Sequence, residues 1–407
     1  MKVGNVLVVL TIIARVNGQH HEPVDGQHRE LWWNWWNQRN QPTPPTQKPT
    51  QKPATPPTLR PTRPPTPSPT TVSVVSKLAE CKKDIVKLIN NDNTIGAKFI
   101  RMEFHDCVGG CDGCIDMSNP DNFGLDVPLN ALANVCPNAF ATHGITRSDM
   151  WVLAGLTAAE VLQPQSATIV QFPMLWFGRP TCEMLQSKVP CLNNICGAFN
   201  GPQRDLPSPN LDTRRILEYF ATNFQFDAKE TCALMGAHSL GKVARTNSGF
   251  VGTGWDSTPL VLNNAYYEGI VGPVNDRVNG APSGWKSSQI SNSDLRNQGL
   301  NIPDRNQWSS GTTLMLNTDM GLVRDLSANM DPTTGKADCN FTPLNNGAPI
   351  CPAALQTLDF MAAYRDDNLL WVQDFKAVFT KMMDLPFKTQ GASCGQEVCF
   401  IANLPVN

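Results

Sequence analysis

Arg101-Met102-Glu103-Phe104-His105-Asp106-Cys107 lies in a run whose apolar residues recur every three or four positions. Gly236-Ala237-His238-Ser239-Leu240-Gly241-Lys242 closes another such run about 130 residues later. In the first stretch a helix sets Arg101 and His105 one turn apart on one face, with Phe104 beside them. A guanidinium there disfavours protonated imidazole, which keeps His105 neutral and ready to accept a proton. In the second stretch, small residues on both sides of His238 let a flat, bulky group approach the imidazole closely. Either histidine alone would read as an ordinary core or surface residue. The folded part of the chain has only one more, His143 in Thr142-His143-Gly144, which fits no catalytic pattern and reads as a loop or surface residue.

Outward from these stretches the chain divides by composition. It has 407 residues, 33 basic and 35 acidic, and the net charge of -2 with no long cationic run argues against a nucleic-acid partner. Lys2 precedes an apolar run from Val6 to Ala14, and Val16-Asn17-Gly18 offers compact residues for cleavage. Residues 1–18 are therefore expected to be a secretory signal peptide; the run is about half of the ~20 residues a membrane span needs. A secreted, extracellular location makes most of the 13 cysteines disulfide-bonded, with one left over. Residues 19–41 form a polar arm around Leu31-Trp32-Trp33-Asn34-Trp35-Trp36-Asn37, which holds four of the ten tryptophans and reads either as a matrix or glycan contact or as an inert tail. Residues 42–70 hold 12 prolines and 8 threonines and should form a stiff polyproline spacer. Residues 71–407 remain as one domain whose net charge is near -7, because the signal carries +2, the arm -1 and the spacer +4.

Within that domain helical periodicity dominates and strand-like alternation is scarce, so a mostly α fold is expected. Predicted helices cover Leu78–Leu88, Ala97–Phe104, Met150–Val161, Arg214–Phe224, Lys229–Met235 and Asn368–Leu385, with N-caps placed at Ser148-Asp149 and at Asp227. Short spacings suggest disulfides between Cys339 and Cys351 and between Cys394 and Cys399. Cys114, Cys182, Cys191 and Cys196 can pair in more than one way, and Cys232 is left as a buried thiol. Asn340-Phe341-Thr342 is the plausible N-glycosylation site.

The stretch from Arg101 through Cys107, followed by Gly-Cys-Asp-Gly, and the later stretch around His238 resemble the plant, fungal and bacterial haem peroxidase superfamily. So do Asn122-Phe123-Gly124-Leu125, Ser148-Asp149 before Leu153-Ala154-Gly155, Phe177-Gly178-Arg179 and Leu206-Pro207-Ser208-Pro209. Trp255-Asp256-Ser257-Thr258-Pro259, Leu316-Asn317-Thr318-Asp319 and Asp374-Phe375-Lys376-Ala377-Val378-Phe379 complete the series in the family's order. The resemblance spans nearly all of residues 76–390 and implies haem b between a distal and a proximal helical lobe. It implies that His238 ligates the iron and Asp319 accepts its other ring N–H. It also implies that His105 moves a proton of hydrogen peroxide, that Asn122 orients His105, and that Arg101 stabilises charge on the oxygens. Phe104, Trp255 and Arg179 are assigned by the same likeness to the cofactor's surroundings, and disulfides are implied between Cys81 and Cys136 and between Cys107 and Cys111.

The likeness further implies calcium or another cation beside each histidine. On the distal side Asp106, the Gly110 carbonyl and Asp112 match, but Cys114 stands where a hydroxyl is usual, with Asp116 as a substitute. On the proximal side Ser239, Asp256, Thr258 and the Val261 carbonyl match, with Asn263 in place of an aspartate, which suits a monovalent ion. Phe104 is typical of secreted members and Trp255 of intracellular ones. Trp255 is expected either to pack at the haem or to pass an electron from a large donor. The expected activity is reduction of hydrogen peroxide with one-electron oxidation of aromatic or protein-bound donors. The rivals are a structural or adhesive protein that has lost turnover, and a calcium-binding module without haem.

Overall fold

In the computed structural model, residues 69–165, 167–185, 197–252, 254–272, 284–297, 299–341 and 349–389 are described. The signal, the arm, the spacer up to residue 68, and Cys191, Cys196, Cys394 and Cys399 lie outside the described residues. The fold is mostly helical. Helix α1 spans Pro69–Asn91 and buries the stripe Val74, Leu78, Cys81, Ile85 and Ile89, spaced three or four apart as one helical face requires. It starts two residues inside the stretch read as spacer, where a proline in the first turn removes an N–H that has no helical partner.

Helix α2, Thr94–Cys107, carries Arg101 and His105 and packs against α3, Arg147–Val161. Residues 148–160 of α3 are all buried, because α1 and α2 both pack on it. Its N-cap is Thr146, two residues before the Ser148-Asp149 expected from sequence. Asp149 is instead the third helical residue, closing a capping box in which Thr146 Oγ1 accepts from Asp149 N at 3.1 Å and Asp149 accepts from Thr146 N at 3.1 Å. The Ser-Asp pair is polar enough to read as a cap, but the backbone turns at the threonine before it.

The second lobe is built from α4, Thr213–Phe224, α5, Ala228–Met235, α6, Ala265–Ile270, α7, Asn317–Met320, α8, Leu358–Asp366, and α9, Asn368–Thr389. Asp227 caps α5 as expected, accepting from Glu230 N at 2.8 Å. Gln225 takes the left-handed conformation that ends α4, at φ 57°. Directly after α5 a 3-10 turn over Gly236–Ser239 lifts His238 off the helix axis. Helix α8 had no clear periodic signal in the sequence, yet it packs on α5, α6 and α9. A three-stranded antiparallel sheet joins the lobe, with β1 over Lys286–Ile290, β2 over Arg305–Ser310 and β3 over Thr313–Met315, and Ser288 opposite Gln307 and Ser309 opposite Leu314.

Four disulfides lie among the described residues: Cys81–Cys136, Cys107–Cys111, Cys114–Cys182 and Cys339–Cys351. The third resolves the pairing that sequence left open for Cys114 and Cys182. Cys232 is buried and unbonded, and burial pushes its thiol pKa upward, so it behaves as a small apolar side chain.

Candidate active site

On the distal side, Asn122 donates from Nδ2 to the Asp116 carbonyl at 2.8 Å, which turns its Oδ1 toward His105. Because an amide oxygen only accepts, His105 donates from Nδ1 across 2.7 Å. The lone pair is left on Nε2, which has no partner among the described residues. Burial first, and the charge of Arg101 second, push the His105 pKa down to about 3, while the Asn122 bond opposes them. The sequence attributed neutrality to Arg101; the stronger cause is desolvation in a folded interior.

Arg101 donates from Nη2 to the Asp121 carbonyl at 2.8 Å and from Nη1 to the Phe123 carbonyl at 3.2 Å. The side chain keeps accessible surface but is densely surrounded by protein, and burial draws its pKa down to about 10, with Asp121 opposing. A cation fixed at this depth beside a neutral base can interact strongly with charge that develops on a small bound molecule. Phe104 stands edge-on to His105 at 5.8 Å and packs on Phe220 and Phe224, at 6.2 and 6.0 Å, which links α2 to α4.

On the proximal side, His238 donates from Nδ1 to Asp319 Oδ1 at 2.7 Å, leaving Nε2 for a ligand. Asp319 is fully buried and also accepts from Leu316 N at 2.7 Å. Its short helix α7 is held in place because Asn317 Oδ1 accepts from Trp308 Nε1 at 2.8 Å and from Asn306 Nδ2 at 2.7 Å, both on β2. Trp255 lies flat on His238, ring centroids 4.2 Å apart and planes 4° from parallel. Sequence reasoning missed Tyr266, whose buried hydroxyl donates to the same Asp319 oxygen at 3.0 Å. No motif singled it out.

The proximal cation candidates do converge. Ser239 Oγ lies 3.0 Å from Asp256 Oδ2, 3.1 Å from the Val261 carbonyl and 3.3 Å from Asn263 Oδ1, and Thr258 Oγ1 lies 3.1 Å from Asn263 Oδ1. A hydroxyl has one proton and cannot satisfy three acceptors at once, and a cation among these oxygens would relieve the approach. The distal candidates are drawn into other bonds, although burial first and the neighbouring Asp112 charge second push the Asp106 pKa up to about 8. Asp112 is ion-paired to Arg204 at 2.6 Å, both oxygens of Asp106 accept backbone N–H groups at 3.0 Å, and Cys114 is consumed by its disulfide. Asp116 caps its own turn, accepting from Ser118 N at 2.9 Å, and Gly110 supplies no more than a loop carbonyl.

Arg179 also differs from expectation. It is 1% exposed and paired with Asp149 at 3.2 Å and Asp384 at 3.1 Å, and it donates to the carbonyls of Trp176 and Met383. Its guanidinium ties α3 to the end of α9. His143 lies at the end of a one-turn helix over Ala139–His143, with Nδ1 2.7 Å from Thr142 Oγ1.

Two imidazoles, each fixed through Nδ1 by an oxygen acceptor, with a buried arginine beside one of them, form an arrangement that can offer one Nε2 to a metal and the other to a proton. The chain belongs to the peroxidase family, whose model matches residues 81–332. A heme-binding peroxidase of Candida albicans is 24% identical over 317 residues, 74% of this chain and 85% of that protein. One of Gibberella zeae is 24% identical over 77% of this chain and 80% of its own length. The lignin-forming anionic peroxidase of Nicotiana tabacum is 29% identical over 37% of this chain and 44% of its own length. The haem implied by this family fits the residues present: His238 Nε2 is free for the iron, its side chain is 30% accessible in the cleft, and Trp255 backs the ring.

Proposed function

We propose that the chain is a secreted haem peroxidase that reduces hydrogen peroxide to water while two donor molecules each lose one electron and one proton. The observation that carries this reading is His105, held neutral by burial with Nδ1 tied to Asn122. Haem, when bound through His238, supplies an iron able to take two electrons' worth of oxidation from peroxide. His105 Nε2 accepts the proton of the near oxygen of peroxide and returns it to the far one, which departs as water. Arg101 offsets the negative charge that builds on that oxygen. Asp319, by accepting the His238 N–H, makes the imidazole a stronger electron donor to a bound metal.

Aromatic phenols or protein-bound side chains fit as donors, and the flat stack of Trp255 on His238 supports a second route for donors too large to reach the cleft. The proximal oxygens suit a singly charged cation better than calcium, since Asp256 is the sole carboxylate among Ser239, Asp256, Thr258, Val261 and Asn263. Secretion is supported by the leader composition and by four disulfides among the described residues. A matrix or glycan contact is assigned to the tryptophan arm on composition alone. The test is the Soret spectrum of purified holoprotein with and without peroxide, alongside peroxide-dependent dye oxidation. We expect a spectral change and turnover, with His105→Ala slowing the peroxide step by about 10²- to 10⁴-fold, and Trp255→Phe impairing bulky donors more than small phenols. Haem loading with no oxidation would favour the adhesive reading and overturn this one.

A further inference from the structure

The distal half of the site holds a cation of its own, and it is part of the chain. Arg204 Nη2 lies 2.6 Å from Asp112 Oδ2, with the two side chains only 8% and 3% exposed. Its guanidinium also presses on the loop that follows α2: a Cβ built on Gly109, at φ 90°, would lie 2.3 Å from Arg204 Nη1. Only glycine allows that approach. Most other parts of an ion-binding set are already committed, and Asp112 Oδ1 is the buried oxygen of that set left without a hydrogen-bond partner among the described residues. Asp106 Oδ2 accepts from Gly113 N and Oδ1 from Cys114 N, both at 3.0 Å, and the Asp112 carbonyl accepts from Cys182 N at 3.0 Å. The sulfur of Cys114 is bonded to Cys182. A divalent ion placed among these groups would sit against a buried guanidinium.

We propose that Arg204 takes the place of the distal calcium, so that the loop after His105 is held by a tethered side chain and does not depend on a free ion. Arg204 is then a positioning residue: it acts on His105 through Asp112 and the 108–113 loop, touching neither substrate nor cofactor. The Cys114–Cys182 bond clamps the same loop from its far end. The inference stands apart from the activity, because its readouts are calcium stoichiometry, unfolding and the resting spectrum. Failure here would leave the peroxidase reading untouched.

The experiment is calcium titration of chelator-stripped holoprotein by calorimetry, with thermal unfolding and the haem spin-state bands recorded in parallel. No calcium binding is expected, or a single site that disappears in Asp256→Asn. Arg204→Ala should lower the unfolding midpoint and shift the spin-state bands, and Arg204→Lys should restore both in part. Two calcium sites in the unaltered protein, or one that survives Asp256→Asn, would overturn the proposal. So would an Arg204→Ala protein whose midpoint and bands match the parent. If Arg204→Ala does not fold, the titration of the unaltered protein and of Asp256→Asn still decides the matter.

Discussion

At the level of single residues the chemistry turns on how each nitrogen is committed. His105 is neutral because burial removes the water that would stabilise imidazolium, and Arg101 adds to the effect. With a folded pKa of about 3 against about 6.5 in the unfolded chain, the unfolded state binds the extra proton between those values. His105 therefore contributes stability that is fully present above about pH 6.5 and is lost as pH falls toward about 3. The same shift leaves the base competent well into acid, so the peroxide step should hold its rate down to about pH 4. Asn122→Asp puts a carboxylate 2.7 Å from His105 Nδ1 in place of a neutral amide. It should raise the pKa of His105 and move the acid limb of the stopped-flow rate upward by a unit or more, roughly the effect of a close opposite charge. An unmoved limb would mean that a different group sets it.

Among elements, the conspicuous joint is the one made by Arg179. Asp149 accepts from Thr146 N, Gly178 N at 2.7 Å, Arg179 N and Arg179 Nη1, so one carboxylate caps α3 and receives the incoming loop. Arg179 then carries the connection on to Asp384 and the Met383 carbonyl near the end of α9. Removing it leaves Asp149 with three backbone donors but strips Asp384 of a buried partner. Arg179→Ala is accordingly expected to cost about 3 kcal/mol, at the low end for breaking a buried pair, read as a lower denaturant midpoint. The Soret band of the folded holoprotein should stay in place. A displaced Soret band at unchanged stability would return Arg179 to the cofactor's surroundings. A second buried tie, Lys82 to Glu160 at 3.1 Å, joins α1 to the same helix α3, which explains why a helix buried all round can still carry charges.

For the molecule as a whole, the site was legible in the sequence where chemistry and spacing coincide, and illegible where contacts come from far along the chain. Arg101 and His105 share a turn of helix, so their relation follows from periodicity. Asp319, 81 positions from His238, was reached only through the family's motif order. Tyr266 and Arg204 have no local pattern, because a hydroxyl or guanidinium acquires its role only from what the fold brings against it. Helix α8 was missed for a related reason: it spans only nine residues, and burial by three neighbours stabilises it more than its own short periodicity does. The fold that results commits the Nδ1 atoms of His105 and His238 to Asn122 and Asp319 and leaves each Nε2 for another partner. Cofactor binding is then linked to stability by mass action, about 2.7 kcal/mol when free haem is a hundredfold above its dissociation constant. For a domain of this size that corresponds to a rise of roughly 4 °C in the unfolding midpoint. Haem added to stripped protein should produce that rise in calorimetry, increasing further with haem concentration, and His238→Ala should abolish most of it while Trp255→Phe retains it. A midpoint indifferent to haem in the unaltered chain would mean that the cleft is stable without the cofactor, and would separate this chain's folding from its family's chemistry.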